Sequence, residues 1–405
     1  MGRRGRRAGR RASAGRRRRA EGDYRQEEGE GGMNERDVLG IIVCNMHDEL
    51  ISELTALRTL GSVPFGGRYR LIDFALSNMV NSGIRDVGVV PSMHYQSLLN
   101  HLGSGREWDL ARKIGGLSIL PPYGRSSSAG VYHGRMEALA NIRDYIKASP
   151  AETVVLSDSD VIANIDFRPA VAEHLAAGAD ITLLYKKAEV TPEMHAYNPL
   201  FFDEKGRLAD IYLSPELSGE QNVYLDIAVI RKSLLDELVQ ESVQHNEHSF
   251  LRSVLMAKKD VLNIRGFFCP GWGDKVNSLT DFFHANMALL RPEVRASLFP
   301  KDRPIYTKVR DEVSARYGLA SEVTDTLVTD GCIIEGSVSD SVLFRGVHIE
   351  EGAVVRGCVL MHNTRVSSGA VIENVITDKN VVVTKGKMLS GAENMPLYIP
   401  KGTVI

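Results

Sequence analysis

Two carboxylates, Asp158 and Asp160, flank Ser159 directly behind the apolar run of residues 153–156. Acids at the end of a buried strand are placed to hold a divalent cation. Alternate residues of a strand face opposite sides, so Asp158 and Asp160 should share one side and Ser159 the other. Cations are available as well. Arg68 and Arg70 follow the pair Gly66-Gly67, Arg135 follows Gly134, and Lys275 stands beside Asp274 shortly after Trp272. An ammonium or guanidinium cannot ligate a metal, but it can stand in for the charge of one. For each arginine the plainer reading is a surface or structural role, and the sharper one is contact with an anionic ligand. Asp48 and Glu49 do the reverse, placing negative charge behind the first apolar run. A phosphate there would be repelled by about 4 kcal/mol at about 4 Å and intermediate dielectric.

The elements that must position these groups are regular from residue 38 onward. Residues 38–44 form a continuous apolar run, as expected for a parallel strand buried on both faces. Residues 70–82 carry helical spacing, with Leu71, Phe74, Ala75 and Met79 on one face and Gly83 as the stop signal. Strands are expected at 87–90, 153–156 and 181–185, and helices at 97–102 and 136–147. Alternating strands and helices predict an α/β, Rossmann-like domain with a mostly parallel sheet and its ligands at the strands' C-terminal ends.

After about residue 321 short aliphatic pairs replace helical patterns. Val342, Val354, Leu360, Val366 and Ile372 share one six-residue column, interrupted by His348, and Leu343, Ile349, Val355 and Met361 share the next. A six-residue period predicts a parallel β-helix. Residues 291–320, with three prolines, read as a linker between a first domain at 33–290 and a second at 321–405.

The formal net charge of −2 conceals an asymmetry. Residues 1–32 contain eleven Arg and five acids, and the remainder carries 38 Lys+Arg against 46 Asp+Glu. The tail has too little apolar surface to fold and is expected to be disordered. Its stretch Gln26-Glu27-Glu28-Gly29-Glu30-Gly31-Gly32 has the composition of a translated ribosome-binding sequence, which places the expected start at Met33. An acidic body argues against nucleic acid as a partner. No apolar run approaches the length of a membrane span. The four cysteines are far apart with no CxxC, so neither a zinc ribbon nor a disulfide framework is expected. The default compartment is the cytoplasm.

One segment is more specific. Residues 63–78, VPFGGRYRLIDFALSN, closely resemble the signature of glucose-1-phosphate adenylyltransferases, the family that makes ADP-glucose for glycogen or starch. Residues 81–84 (NSGI), 118–123 (SILPPY) and 282–286 (FFHAN) extend the likeness from about Val38 to Ile405. The resemblance implies a nucleotidyltransferase domain followed by a left-handed parallel β-helix. It is strongest to the family's second, divergent bacterial subunit.

Measured against that family, the residues of the reaction are replaced. Adenylyl transfer needs a backbone cradle for triphosphate, cations, and acids for Mg²⁺. Asn45, Met46 and Asp48 stand where the cradle has glycine, and Leu50 where it has arginine. Leu60 and Ser214 replace two phosphate-binding lysines, and Ser92 replaces the adenine-reading glutamine. Gly134 is kept, but Arg135 and Met136 follow it in place of threonine and alanine. The two metal acids become Ser159 and Lys275. No catalytic residue is therefore assigned, and no cofactor is expected for this chain itself. Mg²⁺ would belong to a catalytic partner, with Asp158 and Asp160 the remaining candidates here. Arg68, Arg70, Gly134 and Arg135 are candidate contacts for a sugar-phosphate effector. The resemblance implies a regulatory or structural subunit in a heterotetramer with a catalytic homologue. Its competitors are a weakly active adenylyltransferase, a plain binding module, and an acyltransferase, for which His348 and His362 lack a recognisable partner.

Overall fold

The structure is a computed structural model that describes residues 37–44, 48–91, 93–122, 132–191, 197–213 and 216–405. The Arg-rich tail, the expected start at Met33, and positions Asn45, Met46, Ser92 and Ser214 lie outside the described residues.

The first half is built on a seven-stranded sheet. In chain order its strands are β1 (Val38–Val43), β2 (Asp86–Val90), β3 (Gly116–Ile119), β4 (Thr153–Asp158), β5 (Ile181–Val190), β6 (Gly219–Arg231) and β7 (Ile264–Phe268). Their spatial order is β7-β5-β6-β4-β1-β2-β3. Every residue of β1 and β4 is buried; β1 reads as an unbroken apolar run, and β4 holds the apolar core of residues 154–156 between Thr153 and the buried polar pair Ser157 and Asp158. β6 runs antiparallel to both neighbours and breaks register with β5 between Tyr224 and Ile227. No expectation covered it, because its first half is polar and an aspartate interrupts its apolar half.

Helix α1 (Leu71–Asn81) has ten of its eleven residues buried. It is followed by α2 (Gln96–Leu102), α3 (Arg135–Asn141), α4 (Arg143–Ala148), α5 (Phe167–Ala176), α6 (Lys232–His245), α7 (Leu279–Ala288) and α8 (Pro292–Leu298). The single helix expected at 136–147 is two helices. The Ile142 N–H bonds Leu139 C=O in a tight 3₁₀ turn, and Ile142 leaves helical geometry. The expected linker likewise contains α8. Behind it, Tyr306 N–H donates to Ser77 Oγ and Asn81 Nδ2 to Pro304 C=O, strapping the segment to α1.

The second half is a left-handed parallel β-helix of three five-stranded parallel sheets. Its inward side chains are Leu343, Ile349 and Val355, then Leu360, Val366 and Ile372. The expected columns therefore exchange phase. Between Val342 and Met388, partners in adjacent coils are 17 residues apart, Val342 with Val359 and Val354 with Val371, whereas Leu327 and Val342 are 15 apart and Val375 and Leu397 are 22 apart. One side of each 17-residue coil is thus five residues long instead of six. That short corner carries Asp340, Gly357 and Asn374, all with positive φ. Val342 does not fill the prism. It belongs to the core shared with the first half, alongside Val359, Ile376, Phe344 and Met361.

That shared core explains the signature segments. Phe65 and Phe74 pack edge to face, and Tyr69 stacks on Phe299. The Gly66 N–H donates to Asn286 Oδ1, so residues 63–78 and 282–286 touch one another. Gly67 has φ +81°, and a Cβ there would lie 2.2 Å from Thr329 of the prism. Gly67 therefore serves the joint between the two halves, and Gly66 anchors the same turn to α7.

Candidate functional site

The C-terminal end of β4 meets three other elements. The short strand Val161–Ala163 pairs antiparallel with Gly273–Lys275, which puts Lys275 opposite Val161. Asp226 sits at the register break of β6 with φ +55°, a left-handed geometry that costs a non-glycine residue about 1–2 kcal/mol. Arg135 opens α3. Arg135, Asp158, Asp160, Asp226 and Lys275 are all buried. Ser159 faces elsewhere, toward Gly61 and Cys44, as strand alternation requires.

Within this cluster the cations are held by the chain's own acids. The Lys275 ammonium binds the Asp226 carboxylate. Arg135 Nη2 lies 2.5 Å from Asp158 Oδ2 and 3.7 Å from Asp226 Oδ1, with its guanidinium over the Phe250 ring. Burial pulls the Lys275 ammonium down, but Asp226 and Asp160 outweigh it and leave its pKa above the ordinary lysine value. Burial likewise opposes charge on Arg135, while Asp158 and Asp226 raise it on balance. The Tyr224 hydroxyl beside them is pushed up by burial. Among the described residues, no three His, Cys, Asp or Glu side chains converge so as to hold a metal ion. The groups present do not fit the Mg²⁺ that the resemblance implies.

Other candidate positions have structural work. Asp48 Oδ1 accepts the Leu60 N–H at 2.9 Å and the Asp48 carbonyl accepts Thr55 Oγ1, closing the turn behind β1. Leu50 is exposed, and Leu60 is buried in the shared core. A Cβ on Gly134 would fall 2.2 Å from the His248 carbonyl, which also accepts the Met136 N–H. Gly134 thus makes room for backbone. Arg70 Nη1 donates to Ser97 O and Oγ, and Arg68 is exposed beside Tyr69.

Comparison with known proteins decides the assignment. The model described as Nucleotidyl transferase matches residues 51–287, and that described as GlmU-like, C-terminal hexapeptide matches 310–394. The Glycogen biosynthesis protein GlgD of Bacillus subtilis (strain 168) is 31% identical over 92% of this chain and 98% of its own. GlgD of Geobacillus stearothermophilus is 35% identical over the same shares. The Glucose-1-phosphate adenylyltransferase of Clostridium perfringens (strain 13 / Type A) is 32% identical over 92% of this chain and 95% of its own. The chain belongs to the glucose-1-phosphate adenylyltransferase family.

Within that family the strand-end cluster of this member is assembled around Asp226, which the sequence reasoning missed. An isolated aspartate in an otherwise apolar strand was the available signal. A second group was missed as a group, although Arg70 was among the candidate effector contacts. Where the two halves join, Arg58, Arg70, Arg310, Arg345, His362 and Lys379 act on one another's charge. Burial, then Arg70 and Arg58, hold Lys379 at about 7. Burial, then Lys379, Arg310 and Arg345, hold His362 at about 3. Arg58 is paired with Asp378, which also accepts from the Tyr398 hydroxyl. These residues span positions 58 to 379, and no motif links them. Among the described residues, no helix is long and apolar enough to cross a membrane.

Proposed function

We propose that this chain is a regulatory or structural subunit of a glucose-1-phosphate adenylyltransferase assembly in glycogen biosynthesis, itself catalytically impaired. The observation that carries this reading is Lys275, at one of the family's two metal-acid positions, bound to Asp226, while the other position, Ser159, has no carboxylate and faces Gly61 and Cys44. Removing a single transition-state contact costs about 2.7–4 kcal/mol, and here several are replaced together. Asp158 is engaged by Arg135, which weighs against its serving as a substitute metal ligand in a weakly active enzyme.

The partner is a catalytic homologue, in a cytoplasmic heterotetramer, with Mg²⁺ handled by that partner. Exposed Val313, Tyr317 and Leu319 at the first coil supply apolar surface for assembly. A sugar-phosphate effector would be drawn to Arg70 and the junction cations, where like charges gather beside Asp378. Such a ligand shifts the assembly only if it binds one conformational state better than the other.

The test is the initial rate of ADP-glucose formation from ATP, Mg²⁺ and glucose 1-phosphate. This chain, a catalytic homologue, and the two co-expressed are assayed side by side. The expected result is no rate from this chain and an altered rate or substrate affinity in the mixture. A substantial rate from this chain, or a mixture indistinguishable from the homologue, would overturn the reading.

A further inference from the structure

We propose that Lys275 is the built-in counter-ion of the strand-end site, so that the site is complete without a divalent cation. The inference goes beyond the assembly role and does not depend on it. Three features carry it. The strand pairing that sets Lys275 opposite Val161 is extended by the Val276 N–H, which donates to the Asp160 carbonyl, so the backbone itself delivers the lysine to the acids. Asp226 takes a left-handed backbone at a broken register and meets both the ammonium and Arg135 from there. Lys275 is 7% exposed, which removes the reading of a solvated surface lysine.

The chemistry is one of substitution. Mg²⁺ demands oxygen ligands at about 2.0–2.1 Å in near-octahedral order. An ammonium asks only for acceptors at ordinary hydrogen-bond length. Two buried cations already face Asp158, Asp160 and Asp226, and a metal entering there would have to displace the ammonium from Asp226. The high pKa of Lys275 agrees, since the acids keep it protonated throughout the range in which the protein works.

Thermal unfolding of the full chain tests this, in EDTA and in millimolar Mn²⁺, for the native sequence, Lys275→Met, Asp226→Asn, and the two substitutions combined. The native chain should melt at the same temperature in both buffers. Lys275→Met should melt lower by roughly 5–10 °C, because an unmatched carboxylate stays buried. Adding Asp226→Asn should restore most of that loss, and asparagine accepts the left-handed backbone. A Lys275→Met variant that melts like the native chain, or a double variant no better than the single one, would overturn the proposal. So would a Mn²⁺-dependent rise in the native chain that Asp226→Asn abolishes. A rise that Asp226→Asn leaves intact reports a cation held elsewhere and agrees with the proposal. If Lys275→Met does not fold, a folded, metal-insensitive double variant supports the pairing and an unfolded one refutes it.

Discussion

Two groups of charge among the described residues, one at the strand ends and one where the halves join, are composed differently. At the strand ends, Arg135 and Lys275 meet Asp158, Asp160 and Asp226, and the cations are neutralised within the chain. At the junction, five cations and a histidine act on one another, with Asp378 paired to Arg58 and with Asp73, Asp330 and Glu312 offsetting only part of the charge on Arg70 and Arg345. Burial raises the cost of charge at both sites. In the first, oppositely charged neighbours overcome it, and the lysine pKa goes up. In the second, like charges add to it, and Lys379 and His362 go down. The matched group behaves as architecture, whereas the crowded group is relieved by any anion that enters. The strand-end charges are thus matched within the chain, and the receptive charge lies elsewhere, where the two halves join.

The comparison can be broken most forcefully at Arg135. Arg135→Met leaves Asp158 and Asp226 buried beside one fewer cation, and breaking such a pair costs about 3–5 kcal/mol. Urea denaturation should show the loss, with neutralisation of Asp158 recovering part of it. An unchanged midpoint would mean that the strand-end charges are not matched as described.

A smaller effect is expected where the two halves meet. Gly67→Ala adds a methyl 2.2 Å from Thr329 at a positive φ. Strain of that kind costs about 1–3 kcal/mol. Limited proteolysis should cut the strap near residues 305–316 faster than in the native chain. Unaltered cleavage would detach the glycine pair from the joint.

The mildest experiment sharpens the contrast by pH. Lys379 titrates at about 7 in the folded chain against 10.5 for the free side chain. The folded state therefore bears an unfavourable cation below pH 7, and stability from this group rises with pH between those two values. A bound anion reverses the penalty, so sulfate, whose own charge is constant, should bind more tightly at pH 6 than at pH 8. At tenfold excess over Kd it should stabilise the chain by about 1.4 kcal/mol. Lys379→Ala should remove the pH dependence, and its persistence would place the anion elsewhere.

Legibility followed physical type. The fully buried strands β1 and β4 were plain in sequence because burial on both faces selects a continuous apolar stretch, Val38–Val43 in one and residues 154–156 in the other. The prism was plain because its repeat is local, although the short corner at Asp340, Gly357 and Asn374 shifted the true columns by one residue. The strand β6 was hidden by Asp226, the residue around which the strand-end charges assemble. The identity of Lys275 was visible but its partner was not, since Asp226 lies 49 positions away. Arg70 was singled out, but its grouping with the other junction cations was invisible because charge neighbours set by tertiary packing leave no spacing in the chain. The most recognisable residues, 63–78 and 282–286, proved to mark the joint, so what is easiest to identify in this sequence reports on shape more than on reactivity.

The register of the coils carries a last implication for how this domain can change in length. Corners align down the prism where successive coils keep one offset, as they do from Val342 to Met388. The chain departs from that length on either side, with 15 residues from Leu327 to Val342 and 22 from Val375 to Leu397. Added or missing residues are therefore absorbed at the corners without breaking the strand ladder, whereas a whole added coil would lengthen the prism by about 4.8 Å, the spacing between neighbouring strands.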